Sequence, residues 1–591
     1  MFFMFWFQRG WQQMLFPPLA VLVMAGSLLI HFSPEVASAQ TVPLEGQSGI
    51  IEKSLPQSPP TFAPPPETEA PKITNGGPKH DRESLKESEA SPKFFIKKIK
   101  LTGNTVISDE ILMPIVDLGE GRDVDLTILN TMANKISALY SAKGYLLARA
   151  FIPKQEIIDG IVEIVITEGR INKVLVQGNK KLSKEKIEQR MKMVQEEGAL
   201  QEQTLERVLL ELNELMGVNV TTVLKPGALP GTSDLVLEVT ESKPYAVSFD
   251  SDNFGSQYTG EVRFGFSASY ANIFTLGDQF SARYTRSDLE LHSYSPFYTF
   301  PVNAYGTRMK LSYSFSENEL GDSLNYLKAG GQSFTYGLEV SHLLHKSRKA
   351  SFSVRTGYDI KSSENTSEMV NTTKDNIDEV YLGLGGNLTD SYLGRTFYDL
   401  KFKMGLREGD SSRALVSRLG GHGKIFSTNI NLTRLQATRF LNSYFILKFT
   451  GQTNNTRALS PFLYGVGGMG TVRGYPISAY SGDMGYNISA EYTVPFPWDN
   501  RGRSDLPDLT KILSFISFLE HGEIYVRNKR GTEVDQHITG AGGGLKITIP
   551  KKNESDVGIN FAVTYGVPTL GSIPPTDGSW GIVYLNGMIN Y

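Results

Sequence analysis

The residues with the best claim to chemistry lie in the stretch YGVGGMGTVRGY, where Gly465, Gly467, Gly468 and Gly470 precede Val472, Arg473, Gly474 and Tyr475. Glycines in such numbers permit tight backbone turns that could cradle a phosphate, but no Gly-Lys-Ser/Thr follows, so nucleotide binding is not indicated. The chain contains no cysteine, which excludes thiolate metal sites, cysteine nucleophiles and disulfide staples. Eight histidines are scattered along it, and neither His-Glu-x-x-His nor Gly-x-Ser-x-Gly occurs, so the signatures of zinc proteases and serine hydrolases are missing. His422 in LGGHGK lacks a second ligand nearby, and His292 in HSYS lacks a catalytic set. No enzyme, cofactor or metal is expected. A net charge of −3 supplies no basic field of the kind that gathers nucleic acid, so no nucleic-acid partner is expected either.

The elements that must position the Arg473 loop begin with an export signal. Arg9, the apolar run Leu15 to Phe32, and Ala37-Ser38-Ala39 before Gln40 have the order of a signal peptide, placed at residues 1–39. Residues 40–92 form a linker, with LPQSPPTFAPPPETEAPK and a charged remainder too rich in proline and polar groups to pack a core. Within it, Gly46 to Ser54 can form a short helix that is marginal alone in water. Whether that helix plugs a pore is left open.

Residues 93–170 read as strand, helix, helix, strand, strand. The strand FFIKKIKLTG closes at Gly103-Asn104, Ser108 opens DEILMPIV as an N-cap, and Leu126, Leu129, Met132, Ile136 and Leu139 recur at helical spacing. The strands YLLARAFIP and IVEIVITEG follow. Residues 171–242 repeat the plan, with NKVLVQGNKKLS, the helix QTLERVLLELNELM and the strands VNVTTVLKPG and DLVLEVTES. Self-similarity at this period indicates two modules of one fold.

From residue 243 to 591 the pattern becomes period two. In EVRFGFSASY, Val262, Phe264, Phe266, Ala268 and Tyr270 share one face, while Arg263, Gly265, Ser267 and Ser269 share the other. QFSARYT, MKLSYSF and FILKFTG divide the same way. An export signal, polar connections and an aromatic last residue, Tyr591, favour a membrane barrel over a soluble sandwich, and the length suits about 16 strands around an aqueous lumen. Outer-membrane lipid is then a partner.

These segments together resemble a known family. GYLLARAFIPKQEIIDGIVEIVITEG and GVNVTTVLKPGALPGTSDLVLEV look like the ends of the two POTRA domains in two-partner secretion transporters of the haemolysin secretion/activation type. DNFGSQYTGEVRFG resembles their first barrel hairpin, and VRGY resembles the loop signature of the POTRA-plus-barrel superfamily. The resemblance implies that the loop enters the lumen and that its arginine meets an acidic residue on the inner wall. Phe518, Glu520 and Gly522 in FLEHGEIY match the family's F-x-D-x-G strand, with Glu for Asp. A guanidinium inside a barrel is costly unless it finds a carboxylate, which favours such a pair. The resemblance further implies a Gram-negative outer-membrane pore with periplasmic POTRA domains, which translocates a partner exoprotein without nucleotide hydrolysis. The client would add a strand to a POTRA edge, and Tyr591 would be read by the barrel assembly machinery. The alternatives are a barrel-assembly insertase, which usually carries more POTRA domains, and a passive solute porin, which needs none.

Overall fold

The computed structural model describes residues 42–56, 73–75, 93–408, 416–497, 509–551, 556–569, 573–575 and 577–591. The segment expected to be a signal peptide and most of the linker lie outside the described residues.

Helix α1, Ser48–Ser54, lies inside the barrel described below. In the first small unit, Lys98–Thr102 pairs parallel with Ile161–Thr167, which pairs antiparallel with Arg149–Phe151. Helices α2, Asp109–Val116, and α3, Leu126–Ala142, contribute Leu112, Val116, Leu129, Met132 and Ile136 to a core shared with Val162, Ile164 and Ile166. The expected continuous first strand divides at Lys97, whose amide turns to donate to Gly160 O (2.7 Å). Phe94–Ile96 pairs instead with Arg122–Val124, a short strand the sequence pattern did not reveal. Asp125 caps α3, accepting from Ile128 N at 2.8 Å. Leu126 is 52% exposed, because the first residue of a helix points its side chain back past the helix end. Tyr140, wholly buried, takes its place in the core. Ser108 sits at the start of α2 without bonding through its side chain.

The second unit repeats the first. Helices α4, Lys184–Arg190, α5, Lys192–Glu196, and α6, Glu202–Asn213, cover a sheet ordered Ile73–Asn75, Val218–Pro226, Thr232–Glu241, Arg170–Gln177. The equivalence extends to single residues. Gly103 and Gly178 have φ of 87° and 81°, and a Cβ would lie 2.1 Å from Ile166 O in one and 2.6 Å from Val239 O in the other. Only glycine suits such a turn. The amides after it are gathered by a carboxylate from the end of the last strand: Glu168 accepts from Thr105 N (2.6 Å) and Val106 N (2.9 Å), and Glu241 from Lys180 N (2.6 Å) and Leu182 N (3.0 Å). Glu168 also accepts from the hydroxyls of Thr105 and Tyr140. Burial raises both carboxyls, and these hydrogen bonds more than offset it, leaving both below the ordinary carboxylate range.

Tyr245–Asp252 to Ile582–Asn590 close a barrel of sixteen antiparallel strands among the described residues. The closing pair registers Ser248 with Asn590 and Asp252 with Asn586. The fourth strand is split at Pro296 into His292–Tyr294 and Phe297–Pro301, since proline has no amide for the ladder. Phe264, Phe266 and Tyr270 face outward, whereas Arg263 and Ser267 are buried inward. Cross-strand ring pairs such as Phe445–Tyr492, 4.4 Å apart, reinforce the outer face. The second small unit docks beneath the barrel: Arg207 of α6 donates to Tyr305 O (3.1 Å) and Leu343 O (2.7 Å), and Arg348 meets Glu206 at 2.5 Å. The ends of the barrel beside Tyr305 and Leu343 are therefore the inner ends, and the opposite connections are the outer ones.

Candidate functional site

The long connection runs from the end of Tyr444–Asn454 to the start of Met484–Pro495. It folds into the lumen as a small hairpin, Tyr464–Val466 with Tyr480–Gly482, whose tip carries Val472 to Tyr475. Arg473 is 3% exposed. Its Nε and Nη2 lie 3.0 and 2.7 Å from Glu520 Oε1, and its backbone amide donates to Glu520 Oε2 at 2.7 Å. The longer glutamate thus reaches both the side chain and the backbone of one residue. Glu491 Oε2 lies 3.0 Å from Nη2, Ser489 Oγ donates to Glu520 Oε1 at 3.0 Å, and the Phe518 ring lies 3.4 Å beneath the guanidinium. Two carboxylates and a ring face make a tight seat for one cation.

The neighbours of Arg473 are held as closely. Gly474, at φ 97°, donates its amide to Tyr584 Oη (3.0 Å), which itself donates to Tyr475 O (3.1 Å). Tyr475 is fully buried and its hydroxyl donates to Ile573 O (3.0 Å). Gly522 leaves room for Val472, whose Cγ2 would be 3.0 Å from an added Cβ. Val472, Arg473, Gly474, Tyr475, Phe518, Glu520 and Gly522 therefore meet at one place. Tyr591 does not join them. It follows the last strand at the closing seam, with Lys243 Nζ 3.7 Å from its ring centre and its amide donating to Val247 O (2.8 Å). His422 is half exposed, its Nδ1 3.3 Å from Glu408 Oε2.

Sequence reasoning missed Glu491, Gly540 and Gly566. The two glycines bare the wall strands Gln536–Ile549 and Gly558–Pro568 where the loop tip lies. For Gly540 the run TGAGGGLK was the available signal, since alternate glycines on an inward face mark close approach of another backbone.

Below the outer connections α1 lies against the inner wall of the barrel. Ser48 N donates to Asn365 Oδ1 (2.8 Å) and Ser48 Oγ lies 2.8 Å from Ser363 Oγ. Glu52 accepts from Ser314 Oγ (2.6 Å), Thr335 Oγ1 (3.1 Å) and Ser333 Oγ, and Lys53 Nζ donates to Leu463 O (2.5 Å). Ile51 and Leu55 pack on Leu291, Leu320 and Leu327. A helix of seven residues is unstable in water, so the wall holds it. Residues 46–54, left open by the sequence, thus occupy the pore.

A family model described as haemolysin secretion/activation protein ShlB/FhaC/HecB matches residues 231–547, more than half of the chain, and one described as POTRA domain, ShlB-type, matches residues 94–169. The heme/hemopexin transporter protein HuxB of Haemophilus influenzae is 24% identical over 416 residues, covering 68% of this chain and 73% of its own. The hemolysin transporter protein ShlB of Serratia marcescens is 27% identical over 258 residues, 42% of this chain and 45% of its own. The solved structure of CdiB from Escherichia coli superposes with a TM-score of 0.68 at 18% identity, covering 87% of this chain and 93% of that one. A closed barrel holding an arginine loop, two POTRA-type units beneath it and these matches lead to one conclusion: the chain belongs to the haemolysin secretion/activation protein family, the outer-membrane transporters of two-partner secretion.

Proposed function

We propose that the exoprotein client is received at the edge strand Val218–Pro226 of the second POTRA unit. The observation that carries this reading is that the edge already accepts an extended chain: Ile73–Asn75 of the linker runs parallel to it, with Ile73 opposite Thr222 and Asn75 opposite Leu224. The first unit offers less, because Glu120 Oε1 takes the Ile99 amide (2.7 Å) and Ser137 Oγ takes the Ala150 amide (2.8 Å) on its outer strands. A client strand displaces the linker strand and gains the same backbone hydrogen bonds. It then enters the lumen as α1 and the Arg473 loop shift, and folds outside, which biases passage outward without nucleotide hydrolysis or any other catalysis. Arg473 and Glu520 hold the loop in the resting position. In this reading residues 1–39 are removed on export, residues 40–92 tether the plug, the domains are bounded at 93–170, 171–242 and 243–591, and Tyr591 is the residue the assembly machinery reads.

Deleting residues 93–241 tests the assignment of roles. The remaining barrel inserts and conducts ions but no longer exports the exoprotein client. Export at the parental level by that deletion would refute the receptor role.

A further inference from the structure

The outer end of the barrel carries an ion cluster separate from the Arg473 seat. Arg418, Arg457 and Asp483 are buried, and each comes from a different part of the outer connections. Arg418 Nη1 and Nη2 lie 2.7 and 3.2 Å from the two oxygens of Asp483, and its Nη2 lies 3.4 Å from Glu533 Oε1. Arg457 Nη1 and Nη2 lie 2.5 and 2.8 Å from the two oxygens of Glu533. Asp483 also accepts the amides of Ala458 (2.7 Å) and Arg527 (2.8 Å). Three outer connections are thereby tied together, one around residue 418, one around residue 533, and the long connection at both its ends, residues 457 and 483.

Two of these segments also touch the plug. Ser417, next to Arg418, accepts the side-chain amide of Gln47 at its carbonyl (3.0 Å). On the second segment, Pro461 packs so closely on Gly49 that an added Cβ would be 2.7 Å from its Cγ. The segments are joined to each other as well, Ser460 N donating to Ser417 Oγ at 3.1 Å. Each segment thus presents one face to α1 and the next few residues to the ion cluster.

We propose that Arg418, Arg457, Asp483 and Glu533 form an outer latch whose opening is coupled to departure of the plug. Separating the outer segments withdraws Ser417 and Pro461 from α1, and loss of α1 removes the support on which those segments rest. The inference deepens the reading of the lumen as the client's path and rests on it.

The absence of native cysteine makes the test direct. In the full-length protein in outer-membrane vesicles, Ser48→Cys supplies one thiol on the buried plug, and its rate of modification by a membrane-impermeant maleimide reports plug departure. With Glu533→Gln the rate rises about tenfold, within the usual range of allosteric coupling, and with Glu533→Asp it rises less. Lys529→Gln, which breaks the exposed Lys529–Asp535 pair of the same connection, leaves it unchanged. Equal rates in the parent, Glu533→Gln and Glu533→Asp, with heat-modifiable folded barrels throughout, would overturn the coupling. A Ser48→Cys/Ser363→Cys disulfide tests the path separately. If export continues with the plug locked, the path reading fails whatever the labelling shows. If export stops while labelling ignores Glu533, the coupling alone fails.

Discussion

A Cβ placed on Gly540 would lie 1.9 Å from the carbonyl oxygen of Arg473, closer than any real contact of that kind. The loop tip therefore rests on bare backbone, and the wall is shaped to it as much as the arginine is. Gly540→Ala should dislodge the tip at a cost of about 1–3 kcal/mol, the usual penalty of overpacking. Gly470→Ala, with nothing within 4 Å of its added Cβ, should be neutral. Single-channel conductance in planar bilayers distinguishes them: more frequent openings for Gly540→Ala and parental behaviour for Gly470→Ala.

The Arg473–Glu520 pair answers to charge before length. Glu520→Gln leaves a buried guanidinium with Glu491 as its remaining carboxylate, and loss of one partner of a buried pair costs about 3–5 kcal/mol. Glu520→Asp keeps the charge but shortens a side chain that now serves both the guanidinium and the backbone amide of Arg473, so it should cost less. The urea midpoint of the folded barrel, followed by heat-modifiable mobility, should fall in the order parent, Glu520→Asp, Glu520→Gln.

Acid should loosen the first POTRA unit through Glu168. Its folded carboxyl lies below its unfolded value, so its stabilisation is complete above the unfolded carboxylate pKa, roughly 4.3, and is lost as pH falls towards the folded value. Amide exchange at Thr105 and Val106 should quicken across that window, beyond the intrinsic pH trend. Glu168→Gln should show fast exchange even at neutral pH, since a neutral amide grips two backbone donors less strongly.

Replacing Ile73, Thr74 and Asn75 with proline removes the donors with which the linker strand holds the Val218–Pro226 edge. A client segment then binds without first displacing a competitor, so its affinity should rise by about three- to tenfold. Fluorescence titration with a labelled client peptide measures this, and an unchanged affinity would place the binding surface elsewhere.

Where side chains alternate along a barrel strand, the sequence displayed it. Alternation through EVRFGFSASY sets Phe264 and Phe266 outward and Arg263 and Ser267 inward, because a strand reverses its side chains at every residue. Arg473 and Glu520 were legible only through the family resemblance of VRGY and of the strand around Phe518 and Gly522. The plug was not, because seven residues have no helical strength of their own and are ordered by Ser314, Thr335, Ser363 and Asn365, far along the chain. The linker strand lies in a proline-rich setting whose composition argues against pairing. The outer latch joins residues 418 to 533, and no spacing rule links them.

The paired turns of the two POTRA units also say how they are made. Thr105 waits for Glu168, 63 residues later, and Lys180 for Glu241, 61 residues later. Neither borrows the other's carboxylate. Each unit can thus fasten itself only when its final strand has emerged from the inner membrane, and the first is complete before the second has its clasp. Maturation in the periplasm should proceed one module at a time from the amino-terminal side, with loop closures of similar length and hence similar entropic cost.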